Sequence, residues 1–296
     1  FFLLYLMEEK KPKKKIFLYI FLIIIVLLVV SYLTLFRTSE IPAQLNVDSA
    51  IVNLNNAPVS GNFRLSESDI IETLSSGKAS VILYESVVVN LEENTKIKIS
   101  DLQKVHPKIF QEKGSTWNTF TKLFGVKEYT VQSSNSVASI RGTSFSLSEN
   151  KIFVGDGNVD YKYNETDFLV DKNEVIENGI SRKLTLQEKR QISTNYMKVL
   201  DQLKFLRQKT IEENPIIIKI ALKMVKIKKT TKEGYLISQR QITESEIYSF
   251  LDKVDNGEIL ISEIEAKSPK FITPINKVIQ LTKEMIKVKA LIKEYS

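Results

Sequence analysis

From about Leu45 to Val170 the chain alternates apolar and polar residues with period two. Thr95, Ile97 and Ile99 alternate with Lys96, Lys98 and Ser100; Phe145 and Leu147 alternate with Ser144, Ser146 and Ser148. Val159, Tyr161 and Tyr163 likewise alternate with Asp160, Lys162 and Asn164. A strand points successive side chains to opposite faces, so this pattern places apolar groups on one side of a sheet and polar groups on the other. The breakers SSGK (Ser75 to Lys78), EENT (Glu92 to Thr95), SENK (Ser148 to Lys151) and GDGN (Gly155 to Asn158) separate the runs as turns. Residues 45–180 are therefore predicted to form an all-β domain of many short strands.

After Ser181 the period lengthens. Thr185-Leu186-Gln187-Glu188 has the spacing of a capping box, and Ile192, Tyr196, Val199, Leu203 and Leu206 then recur at four, three, four, three. Pro215 suits a first helical turn, Thr243 to Glu246 is a second capping box, and Gly257 ends the helix that follows it. Val278, Leu281, Met285, Val288 and Ile292 keep helical spacing near the C-terminus. Residues 181–296 are predicted to be a helical domain without an internal repeat.

The N-terminal pattern is different again. Ile16 to Phe36 is a run of 21 residues without charge, preceded by KKPKKK. As a helix it would be roughly 31 Å long, enough for a bilayer core of about 30 Å. Lysines flanking a span mark its cytoplasmic end. The expected organisation is a basic cytoplasmic tail (1–15), a transmembrane helix (16–36), a linker containing Pro42 (37–44), and an extracytoplasmic remainder. The lipid bilayer is thus the first predicted partner. A cleaved signal peptide competes with this reading, but FRTSEIPAQL offers no small-x-small site, which favours an uncleaved anchor. The start is Met7 or a residue upstream of it, leaving a tail of nine to fifteen residues ahead of the span.

Composition narrows the chemistry. There is no cysteine, which excludes disulfides, thiolate nucleophiles and cysteine-bound zinc; a single histidine, His106, excludes His-rich metal sites. The net charge of +7 is unevenly spread. Residues 37–180 hold 14 basic against 19 acidic side chains, and residues 181–296 hold 23 against 14. An acidic β domain is followed by a basic helical one.

Three stretches of the β region resemble the extracytoplasmic domain of FecR-family proteins. SDIIETLSSGKASVIL (Ser68 to Leu83) with VVVNLEENTKIKI (Val87 to Ile99) is similar to the family's opening strands, with their D-I-x-T and N-T elements. EKGSTWNTF (Glu112 to Phe120) is similar to its glycine-plus-tryptophan strand. SVASIRGTSFSL (Ser136 to Leu147) matches the hydrophobic-R-G-T-x-F motif, and KIFVGDGNVDYKY (Lys151 to Tyr163) the closing V-x-x-G-x-V strand pair. Tyr84-Glu85-Ser86 departs from the pattern, since relatives usually turn there on a glycine. The resemblance implies a β-solenoid-like or two-sheet fold. It also implies kinship with single-pass regulators of prokaryotes that relay an outside signal to a cytoplasmic sigma factor through a folded helical domain. The short tail expected here is too small for such a domain, so a relay would need a partner subunit.

The motif residues Arg141, Gly142, Thr143, Phe145, Gly157 and Trp117 read first as structural. Glycine can take a positive φ, arginine has a planar donor fork, threonine can bond local backbone at a bend, and phenylalanine belongs in the core. The alternatives are a ligand contact for Arg141 and a carbohydrate platform for Trp117. Asp156, Asn158, Asp160, Asn164 and Asp167 mimic calcium-loop spacing, but Tyr161 stands where that loop requires glycine and strands flank it. A solvated hairpin face is the simpler reading. His106 has no serine or cysteine motif to serve, and no nucleophile elbow, zincin motif, P-loop or dinucleotide fingerprint occurs. No metal, cofactor or catalytic residue is expected.

Lys219, Lys223 and Lys226 form one stripe on an otherwise apolar helix. This is a solvated face or a contact with an anionic membrane surface or envelope polymer; the expected compartment argues against nucleic acid. The combined expectation is a single-pass, non-catalytic envelope binding or scaffolding protein, with an envelope protein or anionic polymer as partner. The alternative is the sensory component of a sigma-regulator-like complex acting through a partner subunit, and an envelope hydrolase comes third. No oligomeric state follows from these residues.

Overall fold

A computed structural model describes residues 18–27, 42–49, 51–121, 123–226, 241–268 and 272–296. Residues 18–27 are an exposed helix, and the rest of the predicted span lies outside the described residues. Among those described, no helix is long and apolar enough to cross a membrane.

Among the described residues eighteen strands form two sheets of nine. In chain order they are β1 (Ala43–Val47), β2 (Val52–Leu54), β3 (Ala57–Val59), β4 (Asn62–Arg64), β5 (Ile70–Thr73), β6 (Ala79–Leu83), β7 (Val87–Leu91), β8 (Lys96–Asp101) and β9 (Lys108–Lys113). There follow β10 (Ser115–Phe120), β11 (Tyr129–Gln132), β12 (Ser136–Ile140), β13 (Ser144–Ser148), β14 (Lys151–Asp156), β15 (Asn158–Tyr163), β16 (Thr166–Asp171), β17 (Glu174–Glu177) and β18 (Ile180–Lys183). The first sheet runs β18-β17-β14-β13-β10-β7-β6-β1-β4, and the second β16-β15-β12-β11-β9-β8-β5-β2-β3.

Hairpins alternate between the sheets: β6–β7 and β13–β14 lie in the first, β8–β9 and β15–β16 in the second. All pairings are antiparallel except β9 with β11. The solenoid half of the expected fold class is therefore corrected. A solenoid coils one way and stacks parallel strands, whereas these short turns send each strand back beside its predecessor. The two-sheet half stands.

Between the sheets lies a core that includes Leu45, Ile71, Val89, Ile97, Phe145, Val159 and Tyr161. One polar chain crosses it. The Tyr129 hydroxyl donates to Asn118 Oδ1 (2.9 Å), Asn118 Nδ2 to Thr116 Oγ1 (2.9 Å), and Thr116 Oγ1 to Gln111 Oε1 (2.8 Å). Gln111 Nε2 finishes on the carbonyls of Gly114 and Leu147. Buried polar groups bonded in this way fix the register of one sheet over the other.

The described helices after the strands are α1 (Leu186–Glu213), α2 (Pro215–Lys226), α3 (Glu244–Asp255), α4 (Ile261–Lys267) and α5 (Thr273–Tyr295). Both capping boxes form, Thr185 with Glu188 and Thr243 with Glu246. Gly257, at φ +78°, follows the C-cap of α3. Helices α1 and α5 are antiparallel and lie on the outer face of the first sheet. Ile82, Val88, Trp117, Phe153 and Val175 of that sheet share one cluster with Ile192, Tyr196 and Val199 of α1 and Leu281, Met285 and Tyr295 of α5. Beyond the sheet the helices close a second apolar cluster around Ile218, Leu222, Ile247, Val254 and Ile279. A bidentate pair, Arg207 to Asp255 at 2.8 and 2.7 Å, ties α1 to α3, and Arg207 also reaches Thr282 of α5. The order of layers is thus sheet, sheet, helix pair.

Candidate functional site

The family-like residues sit where the chain crosses between sheets. A crossing takes backbone groups out of the ladders, and inside the fold they need other partners. Thr73 Oγ1 donates to the Glu92 carbonyl at 2.5 Å and accepts from the Thr95 amide at 2.9 Å. Thr95 Oγ1 does the same for Ser115, donating to its carbonyl and accepting from its amide, both at 3.0 Å. Thr143 Oγ1 donates to the Asn158 carbonyl at 2.7 Å. The threonines of D-I-x-T, N-T and R-G-T therefore share one task, closing adjacent crossovers onto each other.

Glycine is required at two of these crossings. Gly142 (φ +85°) carries the chain from β12 to β13, and Gly157 (φ +77°) carries it back from β14 to β15. A Cβ on Gly157 would lie 3.0 Å from Thr143 Oγ1 and 3.1 Å from the Gly142 carbonyl oxygen. Phe145, one strand residue further on, is fully buried between the sheets. Arg141 points outward with 75% of its side chain exposed, and its nearest carboxylate, Glu128, is 3.6 Å away. It does not fork onto the carbonyls of the crossing.

Trp117 is buried, but in the layer between the first sheet and the helices. It meets Tyr196 of α1 edge-on, with centroids 5.4 Å apart, and Phe153 at 6.1 Å. Around it this sheet face is polar: Asn46, Ser80, Asn90, Thr119, Ser144 and Ser146 are all buried there. Asn46 Nδ2 donates to Gln202 of α1 at 2.8 Å, and Ser80 links Asp48 to Asn90. Burial raises the Asp48 carboxyl above its ordinary value, against the pull of Ser80 and Lys198. Asn90 Nδ2, Trp117 Nε1 and Thr119 Oγ1 have no hydrogen-bond partner. The alternation in SFSLS correctly sets Ser144 and Ser146 opposite Phe145. What covers that second face was not legible from it.

Four clasps hold the helix pair down. The Tyr295 hydroxyl donates to the Gly155 carbonyl at 2.6 Å and to Asn173 Oδ1 at 2.8 Å. Lys287 pairs with Asp156 (2.6 Å), Lys277 with Glu85 (2.5 Å), and Lys198 with Glu92 (2.9 Å). At the entry to α1, Arg182 bridges Glu177 and Glu188, both at 2.7 Å. That guanidinium, helped by the cap at Thr185, lowers the Glu188 carboxyl to about 2.

The outer face of the second sheet carries no such cover. Leu169 (60% exposed), Asp160, Lys162 and Asp167 line a shallow depression with the half-buried Val137 and Ser139. Lys96 with Glu112 and Lys113 with Glu72 complete a charged ladder toward the other end. This broad face is the candidate contact surface of the sandwich. It offers strand-edge, apolar and charged contacts and no converging acid–base set.

The other predicted sites are dispersed. Asp156 is spent on Lys287, while Asn158 and Asp160 lie on β15, Asn164 in the hairpin turn and Asp167 on β16. Among the described residues no group of three potential metal ligands forms. His106 sits 3.4 Å from Glu128 at the surface. Lys219, Lys223 and Lys226 lie half-buried along α2, with Lys226 3.9 Å from Glu246.

Two crystal structures of a candidate anti-sigma factor from Parabacteroides distasonis, at 2.50 and 1.65 Å, are similar to this chain at 17% identity. Each match covers 38% of this chain, which spans 59% of the other, with a TM-score of 0.34. No curated protein matches the chain. Residues 69–160 match the family model described as FecR protein. That segment runs from the opening of β5 into β15 and contains all three threonine-closed crossings, so the sandwich described above is built on a FecR domain.

Proposed function

We propose that this chain is a membrane-anchored sensory component of a sigma-regulator-like signalling complex. Its sandwich meets an extracytoplasmic protein on the open face of the second sheet and passes the signal through contact, without covalent chemistry. The observation that carries this reading is the FecR match over residues 69–160. The packing supports the choice of face, because the opposite side of the sandwich is occupied by the chain's own helices. The apolar, uncharged run at Ile16 to Phe36 supports the anchor.

A second reading, an envelope scaffold that binds without relaying, shares the first step and differs in its output. Two measurements separate them. Leu169→Asp with Lys162→Glu alters the exposed face without touching the core. A relay component predicts that chain deletion changes a set of transcripts, and that this variant fails to restore them. Unchanged transcripts on deletion would remove the relay. If cross-linking to membrane partners is also identical for wild type and variant, the open face is not the contact surface under either reading.

A further inference from the structure

Among the described residues the two sheets end on four edge strands, and three of these are blunted. β3 has three residues, one of them Pro58, and β4 has only three. β18 has four, and Arg182 takes the Lys183 carbonyl from outside the ladder. Short length, proline and basic residues keep other strands from adding to an edge. β16 has six residues, Thr166–Asp171, without proline, glycine or lysine.

Its hairpin fixes which groups face outward. Asn164 and Glu165, both at positive φ, form a two-residue turn closed by Tyr163 and Thr166. That closing pair exchanges both its hydrogen bonds, so Thr166, Phe168 and Val170 bond to β15. Asp167, Leu169 and Asp171 turn their N–H and C=O groups to the open edge. The Asp171 amide is spent on Glu174 Oε2 at 3.2 Å. The amides and carbonyls of Asp167 and Leu169 have no partner among the described residues. The same three side chains stand on the open face, Leu169 between two aspartates, with Asp160 across from Leu169. Lys162, across from Asp167, is drawn to Glu165 at 3.2 Å. The surroundings of the edge are described without a break from residue 123 to 226, and the nearest end of α5 is Glu294, beside Lys172. Helices α2 and α3 pack around Ile279, about 22 Å away along α5.

We propose that β16 is a strand-addition site, occupied by an extended segment of the extracytoplasmic partner in which Lys or Arg stands two places either side of an apolar residue. Backbone bonds to an edge hold such a segment, and alternate side chains select it. Side chains directly opposite each other on one face must match in charge. A second copy of β16 laid antiparallel about Leu169 sets Asp167 against Asp171 twice, which opposes self-pairing. A basic-apolar-basic strand meets the same three positions with opposite charge and an apolar contact. The proposal rests on the reading of the second sheet as the contact surface, and names how the partner is held there.

The test uses the full chain in detergent and a fluorescein-labelled peptide, Thr-Lys-Val-Ile-Val-Lys-Thr, whose core reads the same in either direction. A second peptide carries Glu in place of both Lys. Fluorescence anisotropy should show the basic peptide binding on the order of tenfold more tightly than the acidic one. Asp167→Lys with Asp171→Lys should reverse that order. Leu169→Pro removes an outward amide, leaves the β15 ladder intact and should abolish binding of both. N-methylation of the two Val, or of the Lys-Ile-Lys set, should block binding in one case only, because an added strand turns alternate amides to β16. No binding of the basic peptide overturns the proposal, as does equal binding of the two peptides or equal effects of the two methylated sets. A dimer of the full chain that Leu169→Pro dissolves means a second copy fills the edge, and overturns the choice of occupant. Unchanged transcripts on chain deletion count against the relay separately and leave the peptide result standing.

Discussion

Trp117, at the centre of the first sheet, meets the ring of Tyr196 on α1 edge-on, with centroids 5.4 Å apart at 84°. The one tryptophan of the chain therefore reports directly on the seam between sheet and helices. Tyr196→Ala should shift its emission to the red and cost about 3 kcal/mol, the range for truncating a buried aromatic. Fluorescence during urea unfolding measures both. An unchanged spectrum would mean the helix pair does not rest on Trp117.

The crossings predict a second result. Gly157→Ala puts a Cβ at φ +77°, 3.0 Å from Thr143 Oγ1, and should destabilise the sandwich by about 1–3 kcal/mol. Thr143→Val removes the donor that satisfies the Asn158 carbonyl and should cost about 1–2 kcal/mol. Arg141→Ala, at the exposed neighbouring position, should change stability by less than about 0.5 kcal/mol. Urea midpoints of the three variants rank these effects, and a loss at Arg141 equal to that at Gly157 would contradict the geometry.

Acid should loosen the helix junction. Glu188 titrates near 2 in the fold against an ordinary value of 4.5, because Arg182 and the Thr185 cap favour its charged form. A lowered carboxylate contributes stability that is complete above pH 4.5 and is lost as pH falls toward 2. Because the partner Arg182 is a third exposed and solvent screens the pair, the contribution is about 1–2 kcal/mol. Glu188→Gln should lower stability at neutral pH and flatten the acid limb between those values. Unfolding free energies measured across the acid range will show whether the two curves converge.

Glu85 and Lys277 form the third clasp, at 2.5 Å with side chains 15% and 14% exposed. A double-mutant cycle to alanine should give a coupling of about 1–2 kcal/mol, since neither partner is well hydrated. A value near zero would show that this pair adds nothing to the hold that the apolar row, the Tyr295 hydroxyl and Lys287 have on the first sheet.

That pair also explains a departure from the family pattern. Tyr84 and Glu85 take φ +48° and +54° in the β6–β7 turn, where the resemblance implies a glycine. Both are anchored from outside the turn: the Tyr84 hydroxyl donates to the Leu102 carbonyl, and Glu85 reaches α5. Local sequence showed the anomaly, but its compensation lies 192 positions further along the chain.

Much of the rest was legible from local pattern. Period two located the strands, and the two capping boxes and Gly257 located helix ends, because each depends on neighbours within a few residues. The placement of the helices on the sheet was not read, although a signal existed. In β6 and β7, ASVIL and VVVNL are buried at every position, as strands covered on both faces are. The shared task of Thr73, Thr95 and Thr143 was hidden for a different reason. Each bonds a carbonyl 15 to 20 residues away, a distance at which periodicity carries no information.

The helix pair over the first sheet has a practical corollary for anyone dissecting the molecule. A cut after Lys183 follows the change of period neatly, yet it would strip Trp117, Phe153 and Val175 of their roof. Such a fragment would have a naked greasy patch beside unpaired amides and hydroxyls. Self-association would follow, and binding assays on it would report stickiness instead of recognition. The whole of residues 42–296 is the smallest piece worth expressing.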